Sequence, residues 1–237
     1  MTQAPVGNAP HHRPRRMPFW SLLDDEARAE LLGIGSIVVF PPKETLLRQY
    51  DLTDHLLVVR RGCVKVAANS AAGYQAVLAI RNAGDLLGEQ AALDGGPRSA
   101  TLTSLTVVEA LMIPSPAFRT AARSAPAIAL ALQQVLSERL READGHRAAA
   151  GSEAVQARLA ALLLELGTEY GCPVGDSSVL IALPLSQDDF AGLVLSSRRT
   201  VNRVFEQWRG RGWVTTGRNR VAIERWDELK RLCDTGH

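Results

Sequence analysis

Hydrophobic residues follow two different periods along this chain, and each period predicts a different kind of structure. From Ser36 to Ile113, short apolar runs are separated by turn residues at the spacing of a small antiparallel β-barrel or sandwich. One pair of runs is joined by "AAGY", which predicts a hairpin. A short amphipathic helix, "SLLDDEARAELLG", precedes this β region. The predicted strands are "SIVVF", "TLLRQ", "HLLVV", "CVKVAA", "QAVLAI", "SATLTSL" and "VVEALMI".

Helical spacing replaces this pattern after Pro114 and Pro116. "SPAFRTAAR" predicts one helix, and Pro126 stands where the first turn of the next helix tolerates proline. That next helix is predicted over about 127–150, with Gly145 and Gly151 weakening its far end. Its apolar positions make a narrow seam, typical of a helix that pairs with a second helix. The seam consists of Ile128, Leu132, Val135, Leu136, Leu140 and Ala143.

The last third predicts a strand, two helices and a hairpin. "SEAVQARLAALLLEL" is a helix, "GTEYGCPVGDSS" a loop and "VLIALP" a strand. "LSQDDFAGLV" begins a helix with Ser186 as N-cap and Asp189 at the third helical position, a capping-box arrangement. After a short turn, "SSRRTVNRVFEQWRG" predicts a second helix, and "WVTTGRNRVAIE" alternates around a Gly217–Asn219 turn as a β wing. Helix, turn, helix and wing together predict a winged helix-turn-helix.

The second of these helices has two chemically different faces. An apolar stripe recurs at three- and four-residue steps, and arginines lie off that stripe. The stripe consists of Val201, Val204, Phe205 and Trp208, and the polar face of Arg198, Arg199, Asn202, Arg203 and Gln207.

These patterns define an α+β chain with four segments. Residues 1–18 are predicted to be a disordered tail, because they hold four of the twelve prolines and no apolar signal-peptide core. Residues 19–125 form the antiparallel β-roll, 126–150 a dimerisation helix and hinge, and 151–237 the winged helix-turn-helix.

Charge and cysteine content narrow the function. The net charge is only +2, yet residues 196–220 carry seven arginines against Glu206 alone. A basic patch confined to one end of a chain is typical of a nucleic-acid reader. Cys63, Cys172 and Cys233 are scattered, with no C-x-x-C, which predicts a reducing cytoplasm and neither a disulfide framework nor an iron–sulfur site. No apolar run approaches the ~18 residues of a membrane span.

Two motifs give the chain a resemblance to a known family. "SSRRTVNRVFEQWRGRGWV" is similar to the recognition-helix pattern of the CRP/FNR family (cyclic AMP receptor protein and fumarate–nitrate regulator), S-R-x-T-V-x-R before a glycine. "GDLLGEQAALDGGPRSATLTSLT" is similar to that family's phosphate-binding cassette, G-E followed about ten residues later by R-[ST]-A. The resemblance spans nearly all of residues 20–230. It implies a homodimeric transcription regulator that binds a palindromic DNA operator, contacts RNA polymerase and holds cyclic AMP or cyclic GMP in a cyclic-nucleotide-binding-type β-roll.

The resemblance also implies site residues. In the cassette, Gly88 would admit a ligand to the backbone and Arg98 would grip the cyclic phosphate. Ser99 would donate a further hydrogen bond, Glu89 would accept one from the ribose, and Arg139 on the long helix would close over the nucleotide. The residues implied at DNA are Ser186, Gln187, Ser197, Arg198, Arg199, Thr200, Arg203, Arg218 and Arg220.

Five positions depart from the family pattern. The base-reading threonine and serine are Ala143 and Asp144 here, so Asp144 becomes the candidate contact to a purine amino group. Leu195 replaces the glycine of the helix-turn-helix turn, which predicts either an altered turn or ~1–2 kcal/mol of strain. "QY" at 49–50 replaces "QG", which predicts an altered loop, and Arg199 replaces a base-reading glutamate.

Three alternatives stay open. In one, Glu89 and Arg98 form a structural ion pair and the chain regulates transcription without a nucleotide. In another, the β-roll regulates an enzyme, but the chain has no G-x-S-x-G, no Walker lysine and no carboxylates or histidines at metal-ligand spacing. In the last, the helix-turn-helix serves only protein contacts. The family's N-terminal cysteine cluster is absent, so no metal or iron–sulfur cluster is expected.

Overall fold

The structure, a computed structural model, describes residues 17–69, 75–175 and 177–234. All but two residues of the predicted tail, and the whole "AAGY" turn, lie outside the described residues.

The first half of the chain folds into two antiparallel four-stranded sheets, as the apolar runs predict. One sheet has the order β1-β8-β3-β6 and the other β2-β7-β4-β5. The hairpin partners β4 and β5 pair in antiparallel register from Val64 with Arg81 to Asn69 with Gln75. The strands are β1 (Ser36–Phe40), β2 (Thr45–Leu47), β3 (His55–Arg61), β4 (Val64–Asn69), β5 (Gln75–Arg81), β6 (Leu86–Leu87), β7 (Thr101–Ser104) and β8 (Val108–Pro114).

Helices cover the outer face of the first sheet. β3 is buried on both faces, because Leu57 and Val59 face the second sheet while Leu56 and Val58 face the helices. Asp24 caps the α-helix that begins at Asp25 by accepting a hydrogen bond from the Ala27 amide at 2.8 Å. The elements are a 3-10 helix (Phe19–Leu22), α1 (Asp25–Ile34), α2 (Glu89–Asp94), α3 (Ser115–Ser124) and the long α4 (Pro126–Ser152).

The last third is the predicted winged helix-turn-helix. The capping box of Ser186 and Asp189 is present at the start of α6. Phe190 and Phe205 pack edge to face at 5.4 Å and join the two helices of the motif, with Trp208 fully buried beside them. The elements are α5 (Val155–Tyr170), β9 (Gly171–Val174), β10 (Ser178–Ile181), α6 (Gln187–Leu193), α7 (Arg198–Gly210), β11 (Val214–Gly217), β12 (Arg220–Ile223) and α8 (Trp226–Asp234).

Two sequence interpretations are wrong. The segment taken as a loop continues α5 to Tyr170 and then forms β9, which pairs with β10. The long-helix seam is not one interhelical stripe, because Ile128, Leu132 and Val135 are buried against the β-roll of their own chain. Leu140, by contrast, is 62% exposed.

The β-roll and the winged helix-turn-helix share an interface. Lys65 on β4 donates to Asp189 on α6 at 2.8 Å, and the two side chains are only 19% and 6% exposed. A Cβ added at Gly192 would stand 2.6 Å from the Val77 amide nitrogen, so α6 approaches β5 at backbone contact. Cys63 of the β-roll belongs to the same apolar core as the helix-turn-helix. This interface fixes the positions of α6 and α7 relative to the β-roll.

A second contact joins the interface to the loop before the cassette. Tyr170, at the end of α5, donates its hydroxyl proton to the side-chain carbonyl of Asn82, and Asn82 also donates to Glu169. Burial is the main cause that raises the pKa of both Tyr170 and the Cys63 thiol, the latter to about 11.

None of the described helices is both long enough and apolar enough to cross a bilayer.

Candidate functional site

The cassette begins where β6 turns sharply into α2. Gly88 makes that turn in the left-handed region, at φ 77° and ψ 13°. A Cβ there would lie 2.7 Å from Arg98 Nη1 and 2.8 Å from Leu47 Cδ1. Glycine is therefore required on two grounds, its backbone conformation and the close approach of the arginine.

Arg98 lies at the centre of the cassette and is only 2% exposed. Nε donates to the Thr53 hydroxyl at 2.9 Å, Nη1 to the Gly88 carbonyl at 2.8 Å, and Nη2 to the His55 carbonyl. All three acceptors are uncharged, and within the described residues no ion pair includes Arg98. Burial lowers the pKa of Arg98, and the more distant carboxylates of Asp54, Glu89 and Asp51 only oppose that effect. The cassette thus holds a buried cation with no anion bonded to it.

The cassette carboxylate pairs with the long helix instead of with Arg98. Arg139 donates to Glu89 and to the Leu86 carbonyl, so a Glu89–Arg98 pair is not what stabilises this turn. The Arg139 Nε is buried without a hydrogen-bond partner. Ser99 donates to the Gln90 side chain at 2.6 Å. The structure therefore brings Gly88, Glu89, Arg98 and Arg139 together.

The candidate base contact does not join this group in the single chain. The Asp144 side chain is 62% exposed and pairs with Arg147 at 2.9 Å. Ala143 stands one turn beyond Arg139 on the same face of α4 and has no hydrogen-bonding group.

Sequence reasoning missed Thr53 and His55 as partners of Arg98. Burial, and then the charge of Arg98, lower the pKa of His55, so its imidazole is held neutral beside the arginine. A polar run directly before a buried strand, "DLTDHLLVV", is the one signal that points to them.

The surface that the sequence predicts to face DNA is the exposed side of α7. Its first turn is capped by Ser197, whose Oγ accepts from the Thr200 amide at 3.1 Å. The apolar stripe predicted for this helix is buried, which confirms the two-face interpretation. One open concavity is lined by Arg198, Arg199, Thr200, Asn202, Arg203 and Glu206. Arginine guanidinium groups on an exposed helix face can hydrogen-bond base edges in a DNA major groove.

The wing and the start of α6 flank this helix. Arg218 and Arg220 are exposed on the hairpin between β11 and β12, where Asn219 takes a positive φ of 61°. Ser186 is exposed and Gln187 half-buried at the N-terminus of α6.

The two backbone departures are accommodated without glycine. Leu195 adopts φ 48° in the helix-turn-helix turn, and its amide still bonds the Gly192 carbonyl at 3.1 Å. Tyr50 adopts φ 72° and donates its amide to the Arg98 carbonyl at 2.9 Å. The chain therefore tolerates strain at Leu195 rather than avoiding a left-handed residue. Among the described residues, no group of three or more His, Cys, Asp or Glu side chains has a metal-binding arrangement.

Comparison with known proteins defines the class. The cyclic nucleotide-binding domain matches residues 37–125, and the Crp-like helix-turn-helix domain matches residues 157–232. The protein is thus a transcription regulator that combines these two domains. A CRP-like cAMP-activated global transcriptional regulator of Mycobacterium tuberculosis is 30% identical over 194 residues, which cover 82% of this chain and 86% of that protein. The chain belongs to the CRP/FNR family of transcription regulators.

Two further proteins are similar to this chain, one in sequence and one in fold. A cyclic AMP receptor protein of Thermus thermophilus is 29% identical over 185 residues, 78% of this chain and 82% of the relative. A solved CRP/FNR-family regulator, also from Thermus thermophilus, shares the fold with a TM-score of 0.72 at 24% identity, covering 85% of this chain and all of that one.

Proposed function

We propose that this regulator works as a homodimer on a palindromic operator and is modulated by a cyclic nucleotide in the cassette. The observation that supports a bound ligand is the state of Arg98, a buried cation whose hydrogen-bond acceptors are all neutral. Burying a charge is costly unless an opposite charge compensates it. A cyclic phosphate supplies one negative charge at that place.

The surrounding residues fit such a ligand. Arg98 would bind the phosphate and Ser99 would donate to it, once the Ser99 bond to Gln90 gives way. Glu89 would accept from the ribose hydroxyl, which requires its pair with Arg139 to rearrange. Arg139 Nε, which has no hydrogen-bond partner, is a further donor beside Glu89. The mycobacterial relative carries cAMP in its name, which supports cyclic AMP as the first ligand to test.

A second copy of the chain would cover the outer face of α4. Leu130 and Leu140 are 64% and 62% exposed there, although both are large apolar side chains. Pairing of two α4 helices would hold the two recognition helices about one DNA turn, ~34 Å, apart. A two-fold protein on a palindromic operator could then contact RNA polymerase beside it.

Calorimetry with cyclic AMP and cyclic GMP tests the ligand. Arg98→Ala should weaken nucleotide binding by at least ~2 kcal/mol, roughly 30-fold, because a desolvated charge loses its partner. Arg98 also makes three hydrogen bonds within the protein, so its removal can disturb the fold. Ser99→Ala is the milder variant and is expected to weaken nucleotide binding severalfold. Arg123→Ala on the exposed end of α3 is the matched control and should leave binding unchanged. Wild-type affinity in both cassette variants would show that the nucleotide does not use this cassette.

A nucleotide-independent regulator is the second candidate, and one observation favours it. Arg98 is 2% exposed and bonds protein groups through all three nitrogens, so no ligand is needed to fill its hydrogen bonds. In that case calorimetry detects no binding of either nucleotide, while wild-type protein still binds a selected operator. The two candidates differ in that single measurement.

A further inference from the structure

One contact on the DNA-facing surface has no place in the roles described so far. Arg198, the first residue of α7, donates from Nη1 to Asp188 Oδ2 at 3.2 Å. Asp188 lies in the first turn of α6, so the pair bridges the two helices of the motif at their N-terminal ends. We propose that Asp188 is a specificity-determining residue, which positions the Arg198 guanidinium for a guanine and disfavours binding to phosphates alone. This inference rests on the proposed DNA-binding function.

The pair does little for the fold. Both side chains are about three-fifths exposed, at 62% and 61%, and exposed ion pairs contribute little to stability. The N-terminus of α6 is already capped by Ser186 and Asp189, which bond each other reciprocally. Asp188 is therefore not needed to start its helix.

Positioning is the role that the geometry supports. The two helices are held rigidly by the edge-to-face contact of Phe190 with Phe205 and by the tight turn at Leu195. A carboxylate on one helix thus stands at a fixed place relative to the arginine on the other. An arginine side chain carries ~2 kcal/mol of rotamer entropy, and a carboxylate that holds one edge of the guanidinium reduces what is lost on binding. The remaining N–H groups are left for the O6 and N7 atoms of guanine.

Asp188 also brings a negative charge to a surface that DNA phosphates approach. Non-specific binding depends on cations meeting phosphates, so an acid at this place weakens it. Specific binding recovers part of this loss, because the guanine contact uses the Arg198 guanidinium that Asp188 positions. Within the described residues no ion pair joins Arg199 or Arg203 to a carboxylate, so Arg198 is set apart from its neighbours on α7.

The test compares Asp188→Ala with a matched acid removal. Glu206→Ala takes one negative charge from the concavity that Arg198 also lines, and Glu206 is not part of the Arg198–Asp188 pair. The operator is selected from random DNA with wild-type protein, and the base pair read by Arg198 is the one whose preference disappears in Arg198→Ala. Fluorescence anisotropy then measures affinity for the operator, for its three substitutions at that pair, and for an unrelated duplex.

We expect both variants to bind the unrelated duplex roughly 3- to 10-fold more tightly, because each loses a charge that repels phosphate. Only Asp188→Ala should lose at least fivefold of its guanine preference at the Arg198 pair. If Asp188→Ala lowers the melting temperature, Asp188→Asn, which keeps a hydrogen-bond acceptor at the helix end, carries the same comparison. Unchanged guanine preference, or an equal loss in Glu206→Ala, overturns the role of Asp188. Wild-type protein with no sequence preference at all overturns the proposed function instead, and this inference with it.

Discussion

Replacing Lys65 by methionine should weaken the contact between the β-roll and the winged helix-turn-helix. Lys65 Nζ stands 2.8 Å from Asp189 Oδ1, and the Asp189 side chain is 6% exposed. Methionine keeps the apolar stem of lysine but removes the charge, so the Asp189 carboxylate loses its cation. Its other oxygen keeps two hydrogen bonds from Ser186, at 2.7 Å from the amide and 2.9 Å from the hydroxyl.

The cost follows from that arrangement. Breaking a fully buried ion pair costs about 3–5 kcal/mol, and a hydrogen bond to a charged group contributes about 1.5–3 kcal/mol. Because Lys65 is 19% exposed and Asp189 retains two partners, we expect the lower range, about 2 kcal/mol. For a chain of this length that corresponds to a melting temperature lowered by roughly 4–8 °C.

Differential scanning calorimetry measures this change. Lys230→Met, at an exposed lysine on α8, is the matched control and should shift the melting temperature by less than about 1 °C. A Lys65→Met protein that melts together with the control would refute the reasoning. It would show that the pair is as weak as a surface ion pair, in spite of its burial.

Five further predictions concern particular residues. Cys172 is exposed and should react with a thiol reagent at pH 8, whereas Cys63, whose pKa burial raises to about 11, should react only after unfolding. Since the Cys63 pKa is higher in the folded chain than the ordinary 9.0, its contribution to stability is complete below pH 9 and declines as pH rises from 9 to 11, which denaturant titration at pH 8 and pH 10.5 checks. Leu195→Gly should raise the melting temperature by about 2–4 °C, because it relieves about 1 kcal/mol of left-handed strain, and an unchanged or lower value contradicts that account. Leu140→Glu should convert a dimer to a monomer in sedimentation experiments, since it places like charges across the paired helices; an intact dimer removes this face from the interface. Selection from random DNA should yield a half-site that departs from TGTGA at the base pair facing Arg199, because a cation cannot accept a hydrogen bond from cytosine N4; an unaltered TGTGA site, also unchanged in Arg199→Glu, contradicts it.

The sequence predicts the elements whose pattern is local. The seven apolar runs correspond to strands, and the capping box of Ser186 and Asp189 is visible from residue types three positions apart. β9 escaped prediction because "GCPV" has neither alternation nor β-branched residues before its last position, and it is a strand only through pairing with β10. Helical periodicity places Ile128 and Leu132 on an apolar face, but it cannot tell whether that face meets a second chain or its own β-roll.

The residues of the candidate sites also differ in whether the sequence alone predicts them. Gly88 and Arg98 are recognisable because their motif is short and its residue types are chemically required. The neutral acceptors of Arg98 are not, since Thr53 is 45 residues away and the His55 contact is to a backbone carbonyl that has no residue signature. The Lys65–Asp189 pair joins positions 124 residues apart, and only the packed interface brings them together.

The shared interface has a consequence for how the chain unfolds. Cys63 and Leu105 of the β-roll belong to the same apolar core as α5 and α7, and α6 lies at backbone contact with β5. Cutting the chain at Glu153 would expose apolar surface on both fragments and separate the Asp189 carboxylate from its partner Lys65. The two domains that sequence comparison separates should therefore behave as one cooperative folding unit. A single calorimetric peak for the whole chain, and poor solubility of a fragment beginning near Glu153, are the signs of that unity.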